Sequence, residues 1–304
     1  MIRFLIAICL MLFSLPDDSA AQTRERIGYG RLFTNDYFAD AKDRWRSGSF
    51  ASSRIWGFGW DGDLPQKPGD IIELRLAAEI ITPENLRRPA RGDRPFAGVL
   101  SAGLHTHFMQ GGTDVALGAD LVVIGPQTRL DQLQNAFHDQ FGLRSTSPQT
   151  RADQIDDAVY LSGVAEAGHT LVAARATHIR PFAEARGGVE NLLRVGVDVT
   201  FGDLVQGELL VRDAVTGQRY RTRPGNQTGF TFLLGADVAG VASSVYLPAD
   251  KGVVARDTRN RYRGGVHWQG GPVNAFYGLT YMDKEFEGQG EGQFVGSVRI
   301  GFRF

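Results

Sequence analysis

From Arg26 to the end of the chain, apolar and polar residues alternate in runs separated by glycine, proline and polar clusters. A period of two marks a strand with two unlike faces. Twelve such runs can be drawn, over 25–34, 47–60, 71–82, 96–109, 112–125, 157–171, 176–188, 191–202, 228–246, 256–269, 272–286 and 292–304. The last is the clearest: Phe294, Gly296, Val298, Ile300, Phe302 and Phe304 fall on one face, and Ser297, Arg299, Gly301 and Arg303 on the other. The pattern predicts an all-β chain, an antiparallel transmembrane barrel of about 12 strands, with a soluble sandwich or small barrel as the alternative.

An even strand number puts both chain ends on the periplasmic side and makes 35–46, 83–95 and 126–156 outer segments. Gln110–Thr113 and Gly270–Pro272 suit tight turns on the opposite side. Residues 203–227 have no strand period and would form a long periplasmic connection. One outer segment is helical in pattern: Leu130, Leu133, Phe137 and Phe141 repeat at helical spacing. Thr128 is the expected N-cap, with Asp131 three residues on, and Gly142 the expected stop. Such a helix, laid across a barrel rim, is expected to bury its Leu and Phe stripe. Gln134 and His138, four residues apart, would share the face beside it.

Composition sharpens the choice. Arg3 followed by the apolar run Phe4–Phe13 and the small residues Ser19-Ala20-Ala21 predicts a secretory leader over 1–21, leaving 22–304 as the mature barrel. The single cysteine, Cys9, lies in that leader, so thiol chemistry and cysteine zinc sites are excluded from the barrel. A net charge of -1 argues against a nucleic-acid partner. No further apolar run reaches the ~18 residues of a helical span. The 38 glycines and 10% aromatic residues fit strands that cross a bilayer, in which average hydropathy stays low.

Five strings then occur in order: Thr34-Asn35-Asp36; Asp43-Arg44-Trp45-Arg46-Ser47; Thr82-Pro83; Gly92-Asp93-Arg94-Pro95-Phe96-Ala97-Gly98; and Ile124-Gly125-Pro126 followed by Gln134-Asn135 and His138. As an ordered set they resemble the lipid A 3'-O-deacylases of the Gram-negative outer membrane, a family of twelve-stranded barrels. The resemblance implies an esterase that removes an ester-linked acyl chain from lipopolysaccharide, with lipid A as its partner and no second chain required. It implies His138, Asn35, Asp36 and Ser47 as catalytic residues, with Asn35 and Asp36 holding Ca²⁺. Arg87 or Arg88 would stand for the family's basic residue, and Gln134 would join them in binding substrate. A register slip of one residue would put Arg46 at the place of Ser47.

An ester hydrolase needs a nucleophile, a base and a positive centre for the oxyanion. Imidazole exchanges protons near neutral pH, so His138 is the expected base. Water is the preferred nucleophile, since no carboxylate stands out in the sequence as the partner of His138. Ser47 as an acylated nucleophile, in an outer-membrane phospholipase, is the alternative. A passive barrel or channel is a third reading, which gives Asn35, Asp36 and His138 no task. Taken singly, Asn-Asp is a common turn pair, and Gly92-Asp93-Arg94-Pro95 reads as a turn held by an Asp93–Arg94 contact. Arg87, Arg88, Arg91 and Arg94 suit phosphates as well as solvent. His105 and His107 share a strand face and read as a lumen-facing pair, while His169, His178 and His267 have no motif around them.

Overall fold

A computed structural model describes residues 23–223 and 225–302. The leader, Phe304 and Arg303 lie outside the described residues. The strands are β1 (Glu25–Asn35), β2 (Trp45–Gly57), β3 (Ile72–Thr82), β4 (Ala97–Gln110), β5 (Thr113–Ile124), β6 (Ala158–Gly168), β7 (Leu171–Ala174), β8 (Thr177–Gly187), β9 (Glu190–Phe201), β10 (Leu210–Arg212), β11 (Arg219–Arg221), β12 (Gly229–Ser244), β13 (Thr258–Gly270), β14 (Val273–Met282) and β15 (Gln293–Phe302). All pairings are antiparallel, in the order β6-β5-β4-β3-β2-β1-β15-β14-β13-β12-β9-β8, and β6 pairs with β8 to close the ring. The result is a twelve-stranded barrel, with the short β7 extending β8. Each predicted run has its strand. Tight turns at Gly111-Gly112 and Gly271 use left-handed glycines, as the sequence suggested.

Alternation sorts the side chains. On β15 Phe294, Ile300 and Phe302 are exposed on the outer face, while Ser297 and Arg299 are buried inside. The inward set is rich in charge. Glu73 takes Arg75 and His107, Arg180 takes Asp114 and Glu166, and Asp237 takes Arg194, Arg261 and Arg263. His105 and His107 do face the lumen, as a pair of carboxylate-bound side chains: His105 on Asp120 at 3.1 Å and His107 on Glu73 at 2.7 Å.

Residues 203–223 and 225–227 belong to the connection between the periplasmic ends of β9 and β12, but they do not hang below the barrel. They fold back into the barrel as a plug built on the β10–β11 hairpin. Arg212 bridges Glu166 (2.8 Å) and Asp198 (2.7 Å), with its guanidinium 3.7 Å from the Phe182 ring centroid. Tyr220 shares a 2.7 Å hydrogen bond with Ser53, and the Tyr29 N–H donates to the Thr222 carbonyl. Leu209, Val211 and Tyr220 join Ile27, Leu32, Ile55 and Phe276 in the main apolar cluster. The plug leaves one cavity of about 160 Å³, reached by Arg46, Glu79 and Glu285, and another of about 270 Å³, lined by His105, His107 and His178.

Two outer helices follow β5: α1 (Leu130–Phe141) and α2 (Pro148–Ala152). α1 ends at Gly142 in the left-handed region, as expected. Its start differs: Arg129, itself left-handed, is the cap residue, and the Thr128 hydroxyl donates to the Gly125 carbonyl instead. The buried face also differs. Leu130, Asp131, Gln134 and His138 are buried, while Leu133, Phe137 and Phe141 are exposed. The expectation of an interred Leu and Phe stripe is therefore overturned.

Arg212→Ala would remove the plug's charge-assisted hydrogen bonds to Glu166 and Asp198, which keep Arg180 and Arg263 as partners, a loss of about 1.5–3 kcal/mol. The compact, unheated gel band should then convert to the unfolded position at a lower temperature than the parent's. An unchanged conversion temperature would mean that the Arg212 contacts contribute nothing to stability.

Candidate active site

The site residues lie on the outer side of the wall. On β4, Val99 and Ser101 line the lumen, so Gly98 between Ala97 and Val99 faces out. There a Cβ would meet Thr128 Oγ1 at 2.4 Å and Leu130 Cβ at 3.0 Å, so α1 is seated directly on the exterior of β4. On β15, Ser297 meets Thr34 inside, at 3.1 Å. Its neighbour Gly296 therefore faces out, and a Cβ there would strike Phe38. Phe38 thus lies outside the barrel as well, while Asp36 at the start of the same turn reaches Gln293 in the inward column of β15.

Between these two attachments the segment 39–45 makes a tight path. Ala41, Asp43 and Trp45 all hold positive φ, at 57, 51 and 54°. Three non-glycine residues in that region store strain, which persists only when neighbours fix it. Arg44 is the fixative. Its N–H donates to Asp36 Oδ2 at 2.7 Å, and its guanidinium reaches Glu84 (3.2 Å) and Glu291 (2.7 Å) while lying 4.1 Å over the Trp45 ring. Three outer segments are tied by one side chain.

Asp43 is the hub that this path creates. Its Oδ1 accepts from Ser47 Oγ at 2.5 Å and, at 3.4 Å, from Gln134 Nε2. Its Oδ2 lies 3.2 Å from His138 Nε2. The other ring nitrogen, Nδ1, is 2.8 Å from the Arg144 carbonyl, which can only accept, so Nδ1 carries a proton. Arg144 is brought there by Asn135, which exchanges hydrogen bonds with the backbone of Thr146. Sequence reading did not see a carboxylate for His138. The signal was present in the Asp43-Arg44-Trp45-Arg46-Ser47 string, where an acid stands four residues before the hydroxyl.

The remaining residues divide. Ser47 sits in a bulge of β2 and turns to Asp43. Its neighbour Arg46 points into the lumen mouth, where it pairs with Glu285 (2.8 Å) and Glu79 (2.7 Å). Asp36 is fully buried beside the cleft. Oδ2 takes Arg44 N and Gln293 Nε2, whereas Oδ1 has no partner. Burial, with the charges of Asp43 and Asp40 nearby, pushes its carboxyl up to about 8. Asn35 Oδ1 accepts from Tyr37 N at 2.8 Å. Arg87 and Arg88 are exposed on the loop that docks through Leu86 and Arg87 carbonyls onto Ser147, and no side-chain contact from them to Asp36, Asp43, Ser47 or His138 occurs among the described residues. The Asp93–Arg94 turn contact is made, through the Arg94 N–H on Asp93 Oδ1 at 2.8 Å, but the Arg94 guanidinium is not a surface phosphate ligand: it is buried and pairs with Glu285.

The outer-membrane LpxR family model matches residues 4–304 of the chain. The structure of LpxR from Salmonella typhimurium superposes with a TM-score of 0.73 at 19% identity, over 91% of this chain and 100% of that one. The KdgM porin in complex with disordered oligogalacturonate, at 4% identity over 93% of this chain and 99% of its own, gives a TM-score of 0.41. The NanC porin, at 7% identity over 91% and 100%, gives 0.40. No curated protein matches the chain in sequence. The chain belongs to the LpxR family of outer-membrane proteins.

Proposed function

We propose that this barrel is a lipid A deacylase, an esterase that hydrolyses an ester-linked acyl chain of lipopolysaccharide, in keeping with the 3'-O-deacylase resemblance. One observation carries the reading: His138 of the His138–Asp43–Ser47 cluster is carried by α1, which is seated on the outward face of β4, and none of the three lines either lumen cavity. Lipid A resides in the outer leaflet and meets that side. A channel would need an open lumen, and here a plug fills it.

The chemistry follows from the ring. With Nδ1 held by Arg144, Nε2 is the only atom of His138 that can take a proton. A neutral ring would set its Nε2 lone pair against the Asp43 carboxylate. A water between them relieves that clash by giving one hydrogen to each, which aims its own lone pair outward. As the water attacks the ester carbonyl, its proton passes to Nε2, and the imidazolium formed is then partnered by Asp43, the contact seen at 3.2 Å. Collapse breaks the ester C–O bond, and the same proton moves from Nε2 to the leaving alkoxide. Ser47 donates to Asp43 and has no bond to His138, which favours water over an acylated serine. Arg87 and Arg88, with free side chains at the rim, would meet the substrate's phosphates.

A hard cation such as Ca²⁺ fits this cleft. Asp36 offers a buried oxygen without a partner, Asn35 a second lone pair on Oδ1, and the charges of Asp43 and Asp40 bear on the same carboxyl. Among the described residues no three His, Cys, Asp or Glu side chains form a metal cluster, so amide, carbonyl and water oxygens would complete the shell. When bound, the ion would supply a positive centre for the ester oxygen as it gains charge.

His138→Ala should lower lipid A hydrolysis by about 10²–10⁴-fold, the usual contribution of a positioned base, without loss of the folded gel band. Ser47→Ala should cost less than that by a wide margin, and mass spectrometry should find no acyl group on Ser47. A trapped acyl-Ser47 would replace water with serine as nucleophile.

Asp43→Asn keeps an acceptor for Ser47 but removes the charge that partners the imidazolium. A fall in kcat approaching that of His138→Ala is expected, with KM little changed. Parental kcat in this variant would remove Asp43 from the mechanism.

Cation binding should depend on pH through Asp36. Its folded value of about 8 exceeds the ordinary 3.8, so the folded site holds a proton across that window that the unfolded chain has lost. That contribution to stability is complete below the lower value and lost as pH rises through the upper one. A bound cation must displace the proton, so calorimetry should show Ca²⁺ affinity climbing with pH towards about 8 and then levelling. Asp36→Asn should flatten the dependence, and a flat profile in the parent would separate Asp36 from the ion.

A further inference from the structure

The face of α1 that carries its apolar residues is bare. Leu133, Phe137 and Phe141 are 62, 56 and 64% exposed, and the Phe137 and Phe141 rings pack 4.6 Å apart in one strip. At roughly 25 cal/mol for each Å² of apolar surface, a strip of this kind is costly to hold in water. The helix does not sit above the barrel mouth. It rests on the outward face of Gly98, in the same column of β4 as Leu100 and Leu104, which are exposed and lipid-facing. The strip is therefore carried by a helix whose first turn stands in the outward column of the barrel's apolar belt.

The other bank of the cleft has the same character. Phe38, laid over Gly296 in the outward column of Phe294 and Ile300, is exposed together with Tyr37. Adjacent helix positions differ by about 100°, so Leu133 adjoins Gln134 and Phe137 adjoins His138. The apolar face is thus beside the site face and not opposite to it. The Phe137 ring centroid is 6.4 Å from that of the His138 imidazole. Gln132 and Asp139 are exposed on the far side, suited to headgroups.

We propose that the Leu133–Phe137–Phe141 face of α1 is seated among the acyl chains of the outer leaflet and leads a membrane-resident chain to His138. The seating stands on geometry, and the delivery of a chain rests on the deacylase reading. The helix is then an interfacial element with three neighbours: wall through Leu130, cleft through Gln134 and His138, lipid through its Phe strip.

The two parts have separate tests. Cys9 is the only cysteine, so in a Cys9→Ser background a nitroxide can be placed singly at Phe137→Cys, Phe141→Cys or Asp139→Cys in the full barrel, reconstituted into vesicles of phospholipid and lipopolysaccharide. Labels at 137 and 141 should relax strongly with oxygen and weakly with a water-soluble nickel chelate, and the label at 139 should show the reverse. Equal chelate access at 137 and 139 would overturn the seating whether or not the protein hydrolyses anything. The triple variant Leu133→Ser, Phe137→Ser, Phe141→Ser should lose at least tenfold in kcat/KM on lipid A in vesicles, yet hydrolyse a water-soluble short-chain ester at the parental rate. Parental kcat/KM on vesicles would overturn delivery. Lack of hydrolysis of either substrate by the parent, with lipid-facing labels, would overturn the deacylase reading and leave the seating intact.

Discussion

A barrel wall is one residue thick, and everything else in this protein follows from that constraint. Strands in hydrocarbon must satisfy every backbone N–H and C=O within the protein, so the sheet has to close. The β6–β8 pairing does this. Closure leaves each side chain only two destinations. Those pointing in meet one another and a plug, and there the acid–base pairs around Arg212, Asp198 and Asp237 accumulate. Those pointing out meet lipid. A site for a membrane substrate must therefore be assembled on the outer surface from segments that leave the wall and fold back against it.

Outward glycines near the strand ends make such folding back possible. Gly98 receives α1 and Gly296 receives Phe38, each at a distance that a Cβ would fill. With both segments flat against the wall, the chain between them is short of room, and the left-handed backbone at Ala41, Asp43 and Trp45 is the consequence. The strain is local and its reward is positional: Asp43 ends between Ser47 in the bulge of β2 and His138 on α1. Arg44 holds this arrangement through carboxylates of two further loops, Glu84 and Glu291. The arginine beside the site thus acts on shape, whereas exposed Arg87 and Arg88 remain available to a ligand.

The strands were legible because period two survives in any surroundings. The expected 112–125 and 191–202 became Thr113–Ile124 and Glu190–Phe201. The resemblance likewise singled out His138, Asn35, Asp36 and Ser47; Asp43 joins His138 to Ser47, and its charge bears on Asp36. The plug was not legible, since its strands are three residues long and its partners are remote, as with Tyr220 and Ser53, 167 positions apart. Nor was the role of Asp43: its link to Ser47 is local, but its link to His138 depends on how two loops lie on the wall. Arg94 misled for a related reason. Its sequence neighbours form a turn, while its side chain answers to Glu285, 191 positions away.

The helix shows a different kind of failure. Its period and its stop at Gly142 were read correctly, its cap lies at Arg129 and not at Thr128, and the assignment of sides was inverted. Period reports that two faces differ; it does not report what lies against each. In water the apolar face goes inward because nothing outside welcomes it. At the rim of a barrel the outside is lipid on one side and solvent on another, while the wall offers polar partners such as Asp43. Asp131 then turns inward to Arg151, and His138 to Asp43 and Arg144, with their hydrogen bonds satisfied. The same inversion sends Arg299 into the lumen and Phe294 and Phe302 outward along β15. A single rule accounts for both: each face seeks the medium that costs it least, and here the apolar medium is outside.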